Sequence, residues 1–138
     1  MLQRIDRELN QLLNFDRVVA ITLDWALRSS GFSAGMVVMQ PDGEAGLQVV
    51  AHSGYLDEFV AGLQNGELSP EIGIAGRALR VGQPVYVQDV SADPDYVIAT
   101  EAPSAQEVVV PIRRGGKPVG VLVLELPVAT LNTLLNLR

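Results

Sequence analysis

Two apolar runs in the last third of the chain, residues 107–112 and 119–126, restrict the fold most strongly. Nearly every position in both runs is apolar, whereas a half-exposed strand alternates between apolar and polar residues. Such runs are typical of strands whose two sheet faces are both covered. Gly115 and Gly116 lie between them and can adopt the positive φ angles of a tight hairpin turn. The pattern predicts two central antiparallel strands with helices on both sides of the sheet.

The first half of the chain predicts a helix followed by a second pair of strands. Residues 2–29 repeat apolar side chains every three or four positions, which predicts an amphipathic helix with a break near residues 14–16. Residues 34–40 and 47–52 favour two strands, joined by a turn at residues 41–43.

The second half predicts short helices and one long loop. Residues 55–63 have a helical period, and residues 74–81 predict a helix that ends at Gly82 in the left-handed conformation. A short strand over residues 84–88 leads into an irregular loop at residues 89–106. The final stretch, 128–135, is helical in period without a stop signal, so we expect a truncated helix there. The whole pattern predicts a three-layer α/β/α sandwich.

The composition fits one folded domain and argues against several kinds of chemistry. The chain has 138 residues, 48% of them hydrophobic, which is enough for one core. It contains no cysteine, which removes disulfides, cysteine-bound metals and thiol catalysis. A single histidine, His52, leaves little basis for a metal site or a catalytic triad. We therefore expect no catalytic residue, no metal site and no enzymatic activity.

The charge distribution argues against nucleic-acid and membrane partners. The net charge is −6, and residues 42–71 carry six acidic side chains without a lysine or arginine. Binding to nucleic acid draws its affinity from a basic face, which this chain lacks. The amino terminus carries charges where a signal peptide has an apolar core, and no apolar run approaches 18 residues. We expect a cytoplasmic protein without membrane insertion.

Two blocks of the sequence resemble the signature blocks of GAF domains. They are GIAGRALRVGQPVYVQDVSADPDYV at residues 73–97 and EVVVPIRRGGKPVGVLVLEL at residues 107–126. The resemblance extends over residues 15–137 as a single domain, and leaves residues 1–14 as a linker or dimerisation helix. It implies an α+β sandwich with a central, mainly antiparallel sheet of five to six strands. In this family the terminal helices lie on one face, and short helices and loops form a small-molecule pocket on the other.

The resemblance also limits the ligands, because members that carry particular groups need particular residues. Covalent bilin attachment and methionine-sulfoxide reduction use cysteines, so both are excluded here. Cyclic-nucleotide members carry an aromatic–acid pair where this chain has His52 and Ser53, and their N-K…F-x-x-x-D-E pattern is absent. Haem would depend on His52 alone, a residue that at a strand end is more often simply hydrogen-bonded. We expect no cofactor.

The resemblance implies candidate ligand-binding residues at the positions that line the nucleotide pocket of cyclic-nucleotide members. Asp89 is added because it can cap a turn near the pocket. Free amides at the start of the predicted 74–81 helix could hold an anion, or the glycines there could serve helix packing alone. Arg77 is expected on the helix surface, and Asp93 and Asp95 are expected to form turns. The candidate residues are His52, Ser53, Ile74, Ala75, Asp89 and Tyr96.

Two functional hypotheses follow from the resemblance. In the first, the domain binds an unknown small molecule non-covalently. The terminal helices relay the binding signal to a flanking kinase, cyclase or transcription-regulator domain. In the second, it is a ligand-free pairing module whose pocket is filled by its own apolar side chains. Homodimerisation through the terminal helices is expected. The side chains proposed to fill the pocket are Val85, Val87, Val108 and Val110.

Overall fold

A computed structural model describes residues 2–40, 46–69 and 71–128, with side chains from residue 15 onward. The elements, in chain order, are α1 (Leu2–Ser30), β1 (Ala34–Met39), β2 (Gln48–Ser53), α2 (Asp57–Gln64), α3 (Gly73–Val81), β3 (Val85–Val87), a 3-10 turn (Val90–Ala92), β4 (Ser104–Arg114) and β5 (Lys117–Pro127).

The five strands pair antiparallel into one open sheet in the order β2-β1-β5-β4-β3. Strand β5 lies in the middle and pairs with β1 and β4, so the two apolar runs are confirmed as central strands. The turn between β4 and β5 uses Gly115 at φ 58° and Gly116 at φ 80°. Only a residue without Cβ takes both angles at little cost, which is why this short hairpin contains two glycines.

The two faces of β5 are covered by different helices, as the continuous apolar pattern predicts. Val121 and Val123 lie in the core cluster with Ile74 and Ala78 of α3 and with side chains of α2. On the opposite face Gly35 lets α1 approach closely, because a Cβ there would lie 2.8 Å from Cδ1 of Leu23. The result is the predicted three-layer arrangement.

Helix α3 begins and ends at glycines, as the sequence predicts. Gly73 has φ 74°, and the chain leaves the helix at Gly82 with φ 74°. The Gly82 N–H donates to the carbonyl of Ala78 at 2.8 Å. This left-handed cap turns the chain toward β3.

Two predictions about local structure are wrong. Helix α1 runs without interruption through residues 14–16, since that segment contains neither glycine nor proline, the two residues that interrupt helices most strongly. The loop predicted over residues 89–106 is shorter, because a 3-10 turn occupies part of it and β4 already begins at Ser104. The turn predicted at residues 41–43 and the C-terminal helix beyond Val128 lie outside the described residues.

Strand β3 is short compared with its neighbour. It pairs with residues 107–109 of β4, whereas β4 itself spans eleven residues. Pro111 follows just beyond this pairing and lies opposite Val121 of β5. Across the three described stretches of chain, no helix combines the length and the hydropathy needed to cross a membrane.

The core on the α3 side should tolerate little loss of volume. Val109 is fully buried, so Val109→Ala should lower the free energy of unfolding by about 2 kcal/mol. Val81 is 60% exposed at the end of α3, so Val81→Ala is the matched control and should change stability by less than about 0.5 kcal/mol. Urea denaturation of both variants measures the difference, and equal effects would contradict the assignment of the core.

Candidate functional site

A cavity of about 60 Å³ lies between the sheet and helices α2 and α3. Strands β1, β4 and β5 form its floor. Tyr55 and Phe59 line it at the start of α2, and Ile74 and Ala75 line it at the start of α3. The loop between the 3-10 turn and β4 covers it. Its described lining is Met36, Val38, Tyr55, Phe59, Leu63, Ile72, Gly73, Ile74, Ala75, Val97, Ala99, Glu107, Val123 and Glu125.

The size of this cavity limits what it holds as it stands. Sites for drug-sized ligands measure roughly 300–1,000 Å³. A cavity of about 60 Å³ accommodates a group of a few heavy atoms or a few water molecules. A cyclic nucleotide or a tetrapyrrole would require the covering loop to move.

Two carboxyl groups lie side by side in the cavity floor. Glu107 of β4 and Glu125 of β5 are directly opposite partners in the strand register. They are only 6% and 3% exposed. The hydroxyl of Ser104 donates a hydrogen bond of 2.7 Å to Oε1 of Glu125. We call Glu107 and Glu125 the acid pair.

The acid pair holds a proton at neutral pH. Burial is the main cause that raises the pKa of Glu107 to about 9, and the neighbouring charge of Glu125 raises it further. Two carboxylates at this separation in an apolar environment cannot both ionise at low cost. Glu107 therefore keeps its proton near pH 7.

Tyr55 adds a polar group to the same cavity. Its hydroxyl is buried and has no hydrogen-bond partner among the described residues. Burial, followed by the charge of Glu125, raises the pKa of this hydroxyl well above its usual value near 10. The ring stacks on Phe59 with centroids 5.9 Å apart. The cavity thus combines an aromatic wall with a buried hydroxyl beside Glu125.

An arginine on α3 holds the covering loop in place. The Arg77 guanidinium donates to both carboxylate oxygens of Asp93 at 3.0 and 2.7 Å, and to Asp95 at 2.9 Å. The paired guanidinium lowers the pKa of Asp93. Farther along the same loop, the carbonyl of Ala99 accepts a hydrogen bond of 3.0 Å from the Leu56 N–H. These contacts fix the segment that places Val97 and Ala99 over the cavity.

The structure brings some of the candidate residues together and separates others. Ile74 and Ala75 line the cavity. Tyr96 packs against the core, and its hydroxyl accepts a hydrogen bond of 2.7 Å from the Ser104 N–H. His52 and Ser53 are exposed at the end of β2 and do not line the cavity. Whether any of them binds a ligand remains a prediction.

Asp89 and the other acidic residues of the loop serve turns, as expected for them. Asp89 caps the 3-10 turn by accepting from the Ser91 N–H at 3.1 Å. Asp93 accepts from the Asp95 N–H at 2.9 Å in addition to its contact with Arg77. Among the described residues, no group of histidine and acidic side chains is arranged to hold a metal ion.

The acid pair and the Tyr55 hydroxyl are the polar groups that sequence reasoning missed. A signal for the pair exists, since Glu107 and Glu125 are the acids within two otherwise apolar strands. Buried carboxyl groups are rare enough that such positions warrant attention. Tyr55 carries no comparable signal, because an aromatic residue at helical spacing usually packs in a core.

The side chains proposed to fill the pocket do not line the cavity. Val85 and Val87 pack at the margin of the core, and Val110 lies on the α1 side of the sheet. Val108 shares that side, because side chains alternate along a strand and Val109 points the other way. Val108 and Val110 therefore do not fill the cavity, whereas Val85 and Val87 pack against the core cluster beside it.

The acid pair also bears on the anion hypothesis for the start of α3. Gly73 and Ala75 border the same cavity as the acid pair. A helix amino terminus is equivalent to roughly half a positive charge, whereas the pair places two acidic groups in the same cavity. The groups that line the cavity therefore favour a cationic ligand over an anionic one.

Comparisons with known proteins agree with this architecture. The model of the family described as GAF domain matches residues 13–133. The GAF domain of a phosphoenolpyruvate-protein phosphotransferase from Coxiella burnetii aligns with 91% of this chain and 75% of its own. Its TM-score is 0.69 and its sequence identity is 19%.

Two further relatives show how far the likeness extends. The type II free methionine-R-sulfoxide reductase of Thermoplasma acidophilum has a TM-score of 0.65 at 20% identity, over 81% of this chain and 74% of its own. At such identities the likeness shows the fold alone. Protein YtsP of Bacillus subtilis strain 168 is 45% identical over 56 residues, which is 41% of this chain. The matched stretch is about a third of YtsP, 34% of its length.

The raised pKa of Glu107 predicts a pH-dependent gain of stability on its replacement. The folded protein keeps a proton that the unfolded chain releases near pH 4.5, so wild-type stability falls as the pH rises from 4.5 to about 9. Glu107→Gln removes this dependence and should be more stable than wild type at pH 8, on the order of 2–4 kcal/mol. The advantage should shrink toward pH 5. Urea unfolding at both pH values measures it. Exposed Glu101→Gln is the control, and parallel pH profiles for all three proteins would refute the prediction.

The ion pairs of Arg77 predict a looser loop when they are removed. Arg77→Gln should cost about 1–2 kcal/mol at pH 7 and speed amide exchange over residues 93–99. Because the pKa of Asp93 is lowered in the fold, this contribution is present above the usual pKa of 3.8 and is lost as the pH falls below it. Arg80→Gln, one turn along α3, is the control. Hydrogen–deuterium exchange that is equally fast in both variants would contradict the role of Arg77.

Proposed function

The chain belongs to the GAF domain family, and from this premise we propose that it is a sensor domain that binds a small molecule in the cavity beside α3. GAF domains are sensor or regulatory modules of signalling proteins. The observation that carries the proposal is the buried polar lining of the cavity. A purely structural core gains nothing from a buried acid pair and an unpartnered hydroxyl, since each lowers stability.

We propose that occupancy reaches α1 through β2. Tyr55 lines the cavity and follows the end of β2 by two residues. Strand β2 pairs with β1, and Gly35 of β1 packs against Leu23 of α1. A ligand shifts α1 only if it binds one arrangement of these elements more tightly than another. A flanking kinase, cyclase or transcription-regulator domain would respond to that shift.

The proposed role is non-catalytic. The fold also occurs in an enzyme, the free methionine-R-sulfoxide reductase, so the fold alone does not decide the matter. The absence of cysteine supports the non-catalytic proposal, because thiol chemistry is unavailable to this sequence.

A second candidate function is that of a pairing module, supported by the outer face of α1. Val18, Ile21 and Trp25 recur at three- and four-residue steps and are 59%, 58% and 70% exposed. A large apolar strip of this kind is typical of a contact surface. We propose a homodimer through this face under either function. The two functions differ in whether the cavity takes a ligand.

Native mass spectrometry of the protein gently purified from cells distinguishes them. A sensor should carry extra small-molecule mass, and that mass should disappear in Ala75→Leu, which fills the cavity. Ala61→Leu, exposed on α2, is the matched control and should retain it. An empty dimer, whose melting temperature no metabolite raises, would contradict the sensor and leave the pairing module. Extra mass that survives Ala75→Leu would place the ligand elsewhere and also refute the proposed cavity.

A further inference from the structure

The cavity contains acidic groups without a cation to balance them. The acid pair places two buried carboxyl groups in the cavity, where the neutral hydroxyl of Ser104 donates to Glu125 and the neutral hydroxyl of Tyr55 lies beside it. The described lining contains neither lysine nor arginine. Arg77 lies near enough to influence Glu107, yet its guanidinium is engaged by Asp93 and Asp95. A buried charge in this state is costly unless something else compensates for it.

Two further observations indicate which kind of ligand would balance the buried carboxyl groups. The fully buried hydroxyl of Tyr55 faces the same space beside Glu125, and within the described part of the chain it makes no hydrogen bond of good geometry. The stacked rings of Tyr55 and Phe59 form one wall. Aromatic faces attract cations, and a phenolic oxygen accepts a hydrogen bond from one. These groups and the acid pair are complementary to the same kind of ligand.

We propose that the cavity binds a small organic cation whose ammonium group lies between the carboxyl groups of Glu107 and Glu125. This inference rests on the proposed function, since it names the chemical class of ligand that the sensor takes. The Tyr55 oxygen accepts one N–H of the ammonium group, and its carbon substituent lies against the apolar lining. The cavity of about 60 Å³ suits a primary ammonium on a short carbon chain. The net charge of −6 increases the local concentration of cations.

Binding should release a proton, because the ammonium group replaces the proton that the acid pair shares. The titratable groups around the pair are Tyr55 before α2, Tyr96 and Asp93 in the covering loop, and Arg77 on α3. Strand β1 contributes Met36 and Val38, which do not titrate. Tyr55 keeps its proton and Asp93 its charge throughout the neutral range, since the pKa of the first is raised and that of the second lowered. The pH dependence therefore belongs to the acid pair.

The test uses methylammonium chloride as the probe, with methanol as the neutral control of similar shape and sodium chloride as the salt control. Amide chemical shifts of Gly73, Ala75 and Ala99 report on the cavity. We expect saturable shifts with methylammonium, and dissociation constants at least tenfold weaker for methanol. Between pH 6.5 and pH 8.5 the affinity for methylammonium should rise by up to about tenfold per pH unit.

Variants of the acid pair separate charge from a structural role. Glu107→Gln keeps one carboxylate, so it should bind methylammonium but lose the pH dependence. The double variant Glu107→Gln with Glu125→Gln should bind at least tenfold more weakly, and Glu101→Gln should behave as wild type. If the double variant does not fold, Glu107→Gln alone still decides, because a purely structural role predicts no change in the pH profile of binding.

Each remaining outcome overturns the inference. Equal affinity for methanol and methylammonium would show an open cavity that does not select charge, which leaves the proposed function standing. Absence of shifts with either probe would refute cation binding, and the mass measurement on the purified protein then decides the proposed function separately. Methylammonium shifts that persist unchanged in the double variant would place the cation at another site.

Discussion

The register between β4 and β5 is the constraint on which the rest of the molecule depends. It sets Glu107 opposite Glu125 and Val109 opposite Val123. A slip of one residue would turn the side chains of one of the two strands to the other face of the sheet. One carboxyl group would then lie beneath α1, away from the other, and the core beneath α3 would lose the valines of that strand. The two glycines of the connecting turn hold this register, since a two-residue loop permits few alternatives.

The polar groups of the cavity lower the stability of the fold, and the packed layers around the cavity offset this cost. A buried acid pair and an unsatisfied hydroxyl each oppose folding, whereas Val109 and Val121 in the same sheet are fully excluded from water. Destabilising groups that persist within a well-packed core are typical of sites shaped by function. The covering loop is held in two places. Charged contacts to Arg77 fix its start, and a backbone hydrogen bond to Leu56 fixes it farther along.

Much of the fold was predictable from local pattern, and the candidate site was predictable only in part. The central strands, their glycine turn and the cap at Gly82 follow from residue type and period alone. Ile74 and Ala75, to which the family resemblance points, line the cavity, and their binding of a ligand stays a prediction. The acid pair was not predicted, because Glu107 and Glu125 lie 18 residues apart in the sequence and come together only through strand pairing. The continuity of α1 was not predicted either, because Asn14 and Asp16 weaken the apolar period without breaking the helix.

The short pairing of β3 has a consequence for how copies of the chain meet at high concentration. Beyond residue 109 none of the described strands pairs with the outer side of β4, and an open edge of this kind can recruit a foreign strand into amyloid-like stacking. Pro111 lies at the start of that uncovered stretch. It offers no N–H to an incoming chain, and prolines within sheets are confined to positions that face away from a partner. The residue that looks out of place in an apolar strand thus removes one of the N–H donors that such stacking would use.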